Sequence, residues 1–503
     1  MNPFSRRRAL PALIACFVLG GYTLWRAAHP THHPLQALVL KGQAPVAPAS
    51  APRPFPQPVV VTLPDGLRVF ILEDHRLPTV ECRLALRAGS VFETLPGAAS
   101  LTAALMTEGT ETRSELALAQ ATEQWGARLT VQAEGEHCVV RVVGPSEAAP
   151  ALLDVLGDVV LHPAFAEDRI ERVRFQQTAL DPEQAGSLRA TGRVSGRLFY
   201  GDTPYALPAA TPKDYDALGR QDIIAFYTRF YRPNNAVFGI VGDVRAADIL
   251  PRVRRLFAPW PAAPFAPPLP AARFVPPAAR RVALVDWRYA TDTLLTFQSL
   301  TVGRGDPDFI PLTVTNQILG GSSSGRLSQN LRESNGYTYG ASSWLASASW
   351  PGLWSAGTSV PAEDTRDAVR AVNEELRRLR EQPVPDEELA RAKSSLIGGF
   401  ALTRDRPGDL LGRLMDVYEY GLPPDYWQTY PARVQAVTAR DVQRIARKYL
   451  AAERVQIIAI GPASEIEGDL RPEGPVDRYD NRGYPAAEKR RPSLRLPAWP
   501  FGL

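Results

Sequence analysis

Two separate parts of this chain carry the same order of apolar and polar residues. Residues 220–244 and 439–463 each have the pattern of an amphipathic helix with a tyrosine near its end, a turn, and a continuous apolar strand closed by glycine. Residues 163–180 and 383–400 form a second matching pair in the same relative place. A supersecondary pattern that recurs at a fixed offset indicates a duplicated unit. The sequence therefore predicts an α+β protein with two duplicated lobes, each a mixed β-sheet packed against helices.

Proline-rich segments mark the boundaries of the predicted parts. Residues 259–280 form a Pro-rich linker between an N-terminal lobe, residues 57–258, and a C-terminal lobe, residues 281–467. A second Pro-rich stretch, residues 29–56, is predicted to be a spacer that precedes the first lobe. Residues 468–503 are charged and rich in proline, so we expect a flexible tail there.

The first residues have the composition of an export signal. Three arginines at positions 6–8 precede an apolar run over residues 9–25, which predicts a signal or membrane anchor within residues 1–28. The run lies at the lower length limit for a spanning helix, and no small-x-small cleavage site follows directly, so an anchor is favoured over a cleaved signal. Residues 13–16 resemble a lipoprotein box, but the apolar residues after Cys16 argue against one. We expect the lobes in the periplasm, tethered to the inner membrane, or secreted if the leader is cleaved.

The net charge bears on nucleic-acid binding, and the cysteines bear on a possible disulfide. The net charge is +4 over 503 residues with no long basic run, so nucleic acid is not expected as a partner. Cys82 and Cys138 are the cysteines that follow the leader. An oxidising compartment permits a disulfide between them, and the alternative is that both thiols are simply buried in strands.

Five local motifs add specificity to the duplicated pattern. In chain order they are LPDGLRVFI (63–71), RAGSVFE (87–93), LFYGDTPYALP (198–208), FYRPNNAVFGIVGDV (230–244) and LGGSSSGRLSQNLRESNGYTYGASS (319–343). Together with the two lobes and the linker, they make residues 57–465 similar to the pitrilysin/insulinase family of zinc peptidases, of the inverzincin type. The resemblance is to the non-catalytic subunits of bacterial processing-peptidase-like proteins in particular.

In active members of that family, a helix carries His-x-x-Glu-His, in which two histidines one turn apart bind zinc and the glutamate is the general base. The matching stretch here, residues 97–110, is GAASLTAALMTEGT. When the glycine and threonine that end this stretch are aligned with the family motif, Ser100, Ala103 and Ala104 stand at the positions of the two histidines and the glutamate. Alanine has no donor atom and a lone serine hydroxyl is a poor zinc ligand, so this motif is degenerate.

The third zinc ligand of the family, a glutamate on a later helix, also lacks a counterpart. The expected segment offers Arg174, Gln176 and Gln177, and its nearest acid is Glu171. The six histidines stand at positions 29, 32, 33, 75, 137 and 162, and none forms a helical ligand pair. We therefore expect that this chain holds no metal or other cofactor, and that zinc resides in a partner subunit.

A second family motif is retained in the C-terminal lobe. Family enzymes use an arginine and a tyrosine to hold the substrate backbone and stabilise the oxyanion, and the matching residues here are Arg332 and Tyr339. The alternative is that Arg332 is a surface ion-pair partner and Tyr339 a core residue. The resemblance also implies that Gly320, Gly321 and Ser322 contact a peptide substrate, although a plain turn between strand and helix would need the same glycines.

The resemblance implies a zinc-less subunit that pairs with a homologous zinc-bearing peptidase subunit and acts on peptides or unfolded segments. Arg332 and Tyr339 would then serve the partner's site in trans. The alternative is a non-enzymatic scaffold or peptide-binding protein of the same fold. A self-sufficient metallopeptidase would require zinc ligands that the sequence does not offer.

Overall fold

The structure, a computed structural model, describes residues 55–179, 186–206, 210–264, 272–346 and 348–486. The expected leader, almost all of the expected spacer and the end of the expected tail lie outside these residues. Within them, no helix combines the length and apolarity that crossing a membrane requires.

The N-terminal lobe contains a six-stranded mixed sheet in the order β1-β2-β6-β3-β5-β4. Strands β2 and β6 are parallel, and every other neighbouring pair is antiparallel. Gly66 and Gly135, which have positive φ angles of +91° and +52°, lie in the turns of the β1–β2 and β4–β5 hairpins. The strands are β1 (Val59–Thr62), β2 (Arg68–Glu73), β3 (Thr79–Leu86), β4 (Arg128–Glu134), β5 (His137–Pro145) and β6 (Ala236–Gly242).

Helices cover one face of this sheet and enclose an apolar core with it. Because successive side chains of β5 point to opposite faces of the sheet, Cys138, Val140 and Val142 lie in that core and the residues between them face the other side. The helices of the lobe are α1 (Ala98–Leu105), α2 (Glu115–Glu123), α3 (Ala149–Leu161), α4 (Glu167–Ala179), α5 (Gly186–Tyr200), α6 (Pro212–Ala217), α7 (Arg220–Phe230) and α8 (Ala246–Phe257).

The C-terminal lobe repeats this architecture with sheet order β12-β7-β11-β8-β10-β9. Its strands are β7 (Val282–Asp286), β8 (Asp292–Leu300), β9 (Ala341–Leu345), β10 (Leu353–Pro361), β11 (Gln456–Gly461) and β12 (Val476–Tyr479). Its helices are α9 (Phe309–Leu319), α10 (Thr365–Glu381), α11 (Asp386–Thr403), α12 (Pro407–Glu419), α13 (Tyr426–Ala436), α14 (Ala439–Tyr449) and α15 (Ala463–Leu470), with a π-helical segment at Ser328–Ser334. The pair α7–β6 corresponds to α14–β11, so the predicted duplicated α+β fold is confirmed.

The expected tail is structured over its first part, which corrects the sequence interpretation for residues 468–486. Strand β12 pairs in parallel with β7, and Tyr479 is buried in a cluster with Ala190 and Val194 of α5. Composition suggested disorder because the segment is charged and Pro-rich. It is ordered because a sheet edge, formed by residues far away in the sequence, supplies its hydrogen-bonding partners.

One helix of each lobe packs on the sheet of the other lobe. Helix α5 of the N-terminal lobe packs on β8 and β11, where the Ser195 hydroxyl donates to Gln298 Oε1 at 2.6 Å. Helix α12 of the C-terminal lobe packs on β6, and its Leu411 and Met415 lie directly over Gly239. This exchange of helices joins the two lobes through shared apolar packing.

The two cysteines that follow the leader are free and buried, which confirms the alternative of thiols buried in strands. In the antiparallel register of β3 and β5, Cys82 lies opposite Val142 and Cys138 lies opposite Leu86. The two thiols are therefore four residues out of register and cannot form a disulfide. The Tyr231 hydroxyl instead donates to Cys138 Sγ at 3.2 Å.

Candidate functional site

Helix α1 carries the three residues that replace the zinc motif. It packs against edge strand β4 and helix α7, with Ala103 fully buried in the core. The Ser100 hydroxyl donates to the Gly97 carbonyl at 3.1 Å and lies 3.0 Å from the Tyr215 hydroxyl on α6. The only side-chain oxygen at the motif positions is therefore held by the chain's own helices.

A partly buried glutamate, which the sequence analysis did not single out, caps the start of α1. The Glu93 carboxylate accepts hydrogen bonds from the Gly97 and Ala99 backbone amides at 2.9 and 2.8 Å. Burial raises the pKa of Glu93 to about 7, although these backbone amides act in the opposite direction. Glu93 is the last residue of the RAGSVFE motif, so this motif is explained by capping of the helix that carries the degenerate site.

Two arginines occupy the part of α4 where a third zinc ligand would lie. Arg174 donates to the Leu218 carbonyl, and Arg172 pairs with Glu108 and, at 2.8 Å, with Glu115. Both guanidiniums are bound to groups of the chain itself, and a guanidinium has no lone pair to offer a metal ion. Gln176 is exposed on the same helix.

The histidines of the described lobes lie apart from one another. His75 Nδ1 is 2.7 Å from Asp243 Oδ1, and His162 Nδ1 is 3.4 Å from Asp158 Oδ1. His137 is partly buried at the start of β5, and the loss of contact with water lowers its pKa to about 4. Within the described ranges, no three His, Cys, Asp or Glu side chains come together as a metal site. The residues present at α1 and α4 therefore do not fit zinc.

The retained arginine and tyrosine flank one exposed loop of the C-terminal lobe. Arg332 is half exposed on the π-helical segment, and its Nε lies 3.5 Å from the carboxylate of its neighbour Glu333. Tyr339, just before β9, is 99% exposed, so it is not a core residue. The neighbouring Tyr337 is the tyrosine that packs against the core. Both Arg332 and Tyr339 are thus available to another molecule.

Close packing explains Gly320, the first glycine of the turn between α9 and the π-helical segment. A Cβ on Gly320 would lie 2.8 Å from the Ser343 amide nitrogen, and that amide donates to the Gly320 carbonyl at 2.8 Å. Ser322 borders a cleft of about 30 Å³, which holds a water molecule but not a peptide side chain. The close approach of this turn to β9 is therefore sufficient to explain Gly320.

Strand β9 ends its sheet, so one edge of its backbone has no neighbouring strand within the described chain. Trp344 of β9 is half exposed, and its indole lies over Gly357 of β10, where a Cβ would be 3.2 Å from the ring. This edge follows Tyr339 in the chain. At its centre the Ser343 amide donates to the Gly320 carbonyl at 2.8 Å, and the Ser343 carbonyl accepts from Asn316 Nδ2 at 3.2 Å. The glycine-rich turn therefore already occupies the middle of the edge.

The chain is similar in sequence and in fold to known proteins. Residues 68–200 match the model described as insulinase (peptidase family M16), and residues 217–396 match the model described as the peptidase M16 inactive domain. An uncharacterized zinc protease of Mycobacterium tuberculosis is 27% identical over 414 residues, covering 80% of this chain and 92% of that protein. The beta subunit of the mouse mitochondrial-processing peptidase is 25% identical over 450 residues, covering 82% of this chain and 86% of the subunit.

Among solved structures, the peptidase M16 inactive domain from Pseudomonas fluorescens superposes with a TM-score of 0.73. It is 26% identical to this chain, of which 81% is covered, together with 98% of the Pseudomonas chain. Its two-lobed fold is the architecture derived above. This chain belongs to the insulinase family of peptidases, family M16.

Proposed function

We propose that this chain is the non-catalytic subunit of a heteromeric zinc metallopeptidase that cleaves peptides or unfolded segments. The observation that carries the proposal is an asymmetry between the two lobes. The N-terminal lobe has apolar or self-bonded side chains where zinc ligands would stand, while Arg332 and Tyr339 of the C-terminal lobe project from the surface with little role in the chain's own packing.

Arg332 and Tyr339 have the chemistry needed to assist an active site whose zinc is held by another chain. A guanidinium and a phenol hydroxyl beside a cleaved peptide bond stabilise the negative charge that develops on the carbonyl oxygen. The described part of the chain offers no set of zinc ligands, so in this proposal the homologous partner supplies the zinc.

The proposed setting is the periplasm, with the N-terminal segment holding the subunit at the inner membrane. The arginines before the apolar run motivate this placement. The Gly320 carbonyl bonds to β9, and we assign Gly320 and the adjacent Gly321 and Ser322 to the proposed peptide-binding region.

The test begins with a tagged full chain and the proteins that co-purify with it. The proposal requires a homologue that carries His-x-x-Glu-His, and the mixture of the two chains should cleave an unstructured peptide while this chain alone does not. Tyr339→Phe removes only a hydroxyl and should lower kcat by about 10²–10³, the usual cost of one oxyanion donor. Arg332→Ala should lower kcat and also raise KM, because it removes an anchoring charge.

A matched control separates a direct role from a general surface effect. Tyr289, on the turn between β7 and β8, is 91% exposed, so Tyr289→Phe makes the same chemical change at a second exposed tyrosine. It should leave kcat and KM unchanged. If Tyr339→Phe and Arg332→Ala pair normally and cleave at the wild-type rate, the chain is a scaffold or peptide-binding subunit instead.

A further inference from the structure

Helix α14 presents a basic face to solvent. Arg440, Arg444, Arg447 and Lys448 are all exposed and, with Gln443, line an open depression of about 570 Å³. The spacing of these residues puts them on one side of the helix, where the rise of 1.5 Å per residue spreads Arg440 and Arg447 over about 10 Å.

The nearby carboxylates neutralise only part of this charge. Asp308 accepts from Arg444 at 2.7 Å, from Lys448 at 2.8 Å and from the Tyr449 hydroxyl at 2.8 Å, so its oxygens are fully engaged. These partners hold the pKa of Asp308 at about 2, against the effect of burial. Among the described residues, neither Arg440 nor Arg447 has a carboxylate within ion-pair distance. Two guanidiniums thus remain without a counter-charge.

The duplication supplies an internal comparison for this face. Helix α7 is the copy of α14 in the N-terminal lobe, and it carries Gln221, Ala225 and Thr228 where α14 carries Arg440, Arg444 and Arg447. Lys448 corresponds to Arg229 of α7, but the three arginines belong to one copy only. They are therefore not a requirement of the repeated fold, and they indicate a partner that this copy meets.

The chain enters the described structure beside the same group of helices. Phe55, the first described residue, is buried against Phe400 of α11 with ring centroids 5.8 Å apart. The Phe400 ring also contacts Trp427 and Tyr430 of α13, whose end at Ala436 is followed at once by α14. Phe55 is therefore part of the same apolar core as α14.

We propose that the basic face of α14 rests on the headgroups of an anionic phospholipid bilayer. The depression is wide and open, which suits a layer of phosphates better than one enclosed ligand. Its lining has no aromatic side chains on which nucleotide bases would stack. Each cation near an anionic bilayer strengthens adsorption about fivefold, and salt weakens it. The inference does not depend on the proposed peptidase role.

The test reconstitutes the full chain into vesicles and reports the distance of α14 from the headgroups. A fluorophore is placed at Gln443→Cys in a Cys16→Ser background, where the buried Cys82 and Cys138 escape labelling, and the vesicles carry a headgroup-linked quencher. Quenching is expected in vesicles that contain phosphatidylglycerol and not in pure phosphatidylcholine. It should vanish in 0.5 M salt, about the range in which surface charge is screened, and in the Arg440→Glu/Arg447→Glu variant.

A matched label at Thr228→Cys, an exposed position on α7 that corresponds to Arg447, should not be quenched in either vesicle. Equal quenching at both labels, or quenching that survives the double charge reversal, would overturn the proposal. So would a fluorescence change at Gln443→Cys on adding inorganic phosphate without vesicles, because that response indicates an isolated anion site. A response to polyglutamate in place of vesicles would point to an acidic protein partner and would likewise overturn it.

Discussion

Because α12 packs directly on β6, we predict that one methyl group added at Gly239 will destabilise the folded chain. A Cβ at this position of β6 would lie 2.5 Å from Leu411 Cδ1 and 3.1 Å from Met415 Sδ on α12. Carbon atoms in contact stand about 3.5–4.0 Å apart, so Leu411 must move by roughly 1 Å in a fully buried position. Overpacking of this kind costs about 1–3 kcal/mol, offset by about 0.5–1 kcal/mol from the lost freedom of glycine in the unfolded chain.

Gly239→Ala should therefore lower the free energy of unfolding by about 1–2 kcal/mol in equilibrium urea denaturation. Leu411→Ala alone should cost about 2–5 kcal/mol, because it leaves a cavity. The double variant should cost at least about 1 kcal/mol less than the sum, since the new methyl enters the vacated space. Gly398→Ala on α11, where a Cβ meets nothing within 4 Å, is the matched control and should not destabilise the chain. Additive costs for Gly239→Ala and Leu411→Ala would show that α12 does not pack on β6.

Three further outcomes are expected. Elemental analysis of the dialysed chain should find no stoichiometric zinc; one tightly held zinc per chain would contradict the placement of Ser100, Ala103 and Ala104 at the motif positions. A reporter that is active only outside the cytoplasm, fused after residue 57, should be active, and a silent reporter would contradict the periplasmic placement. Because burial raises the folded pKa of Glu93 from 4.5 to about 7, the stability it contributes is fully present below pH 4.5 and is lost as pH rises through 7. Glu93→Gln should abolish that loss, which amounts to roughly 3 kcal/mol at most, and a wild-type slope in the variant's unfolding free energy between pH 4.5 and 7 would refute the assignment.

Local chemistry made much of the candidate site predictable. Loss of the zinc motif follows from residue types alone, because alanine at positions 103 and 104 has no donor atom in any fold. The glycine turns at Gly66 and Gly135 were equally visible, since they punctuate alternating apolar runs. The cap formed by Glu93 was not visible, because Glu93 stands five residues before the start of its helix and reaches forward across a turn.

Contacts between distant segments account for what the sequence did not show. Helices α5 and α12 have ordinary amphipathic patterns, and nothing in either pattern says that its apolar side covers the sheet of the other lobe. Strand β12 has a charged, Pro-rich sequence and gains order only from the edge of β7.

The sequence by itself determined the duplicated α+β architecture and the absence of zinc ligands from the motif helix. Periodicity and donor atoms are properties of the residues themselves, so both conclusions hold without coordinates. Only the tertiary structure decided which side chains remain free, leaving Tyr339 exposed while Tyr337 packs against the core, and Arg440 unpaired while Arg444 meets Asp308. Exposure and pairing depend on what distant segments bring alongside a residue, and that information lies in the packing of the whole chain.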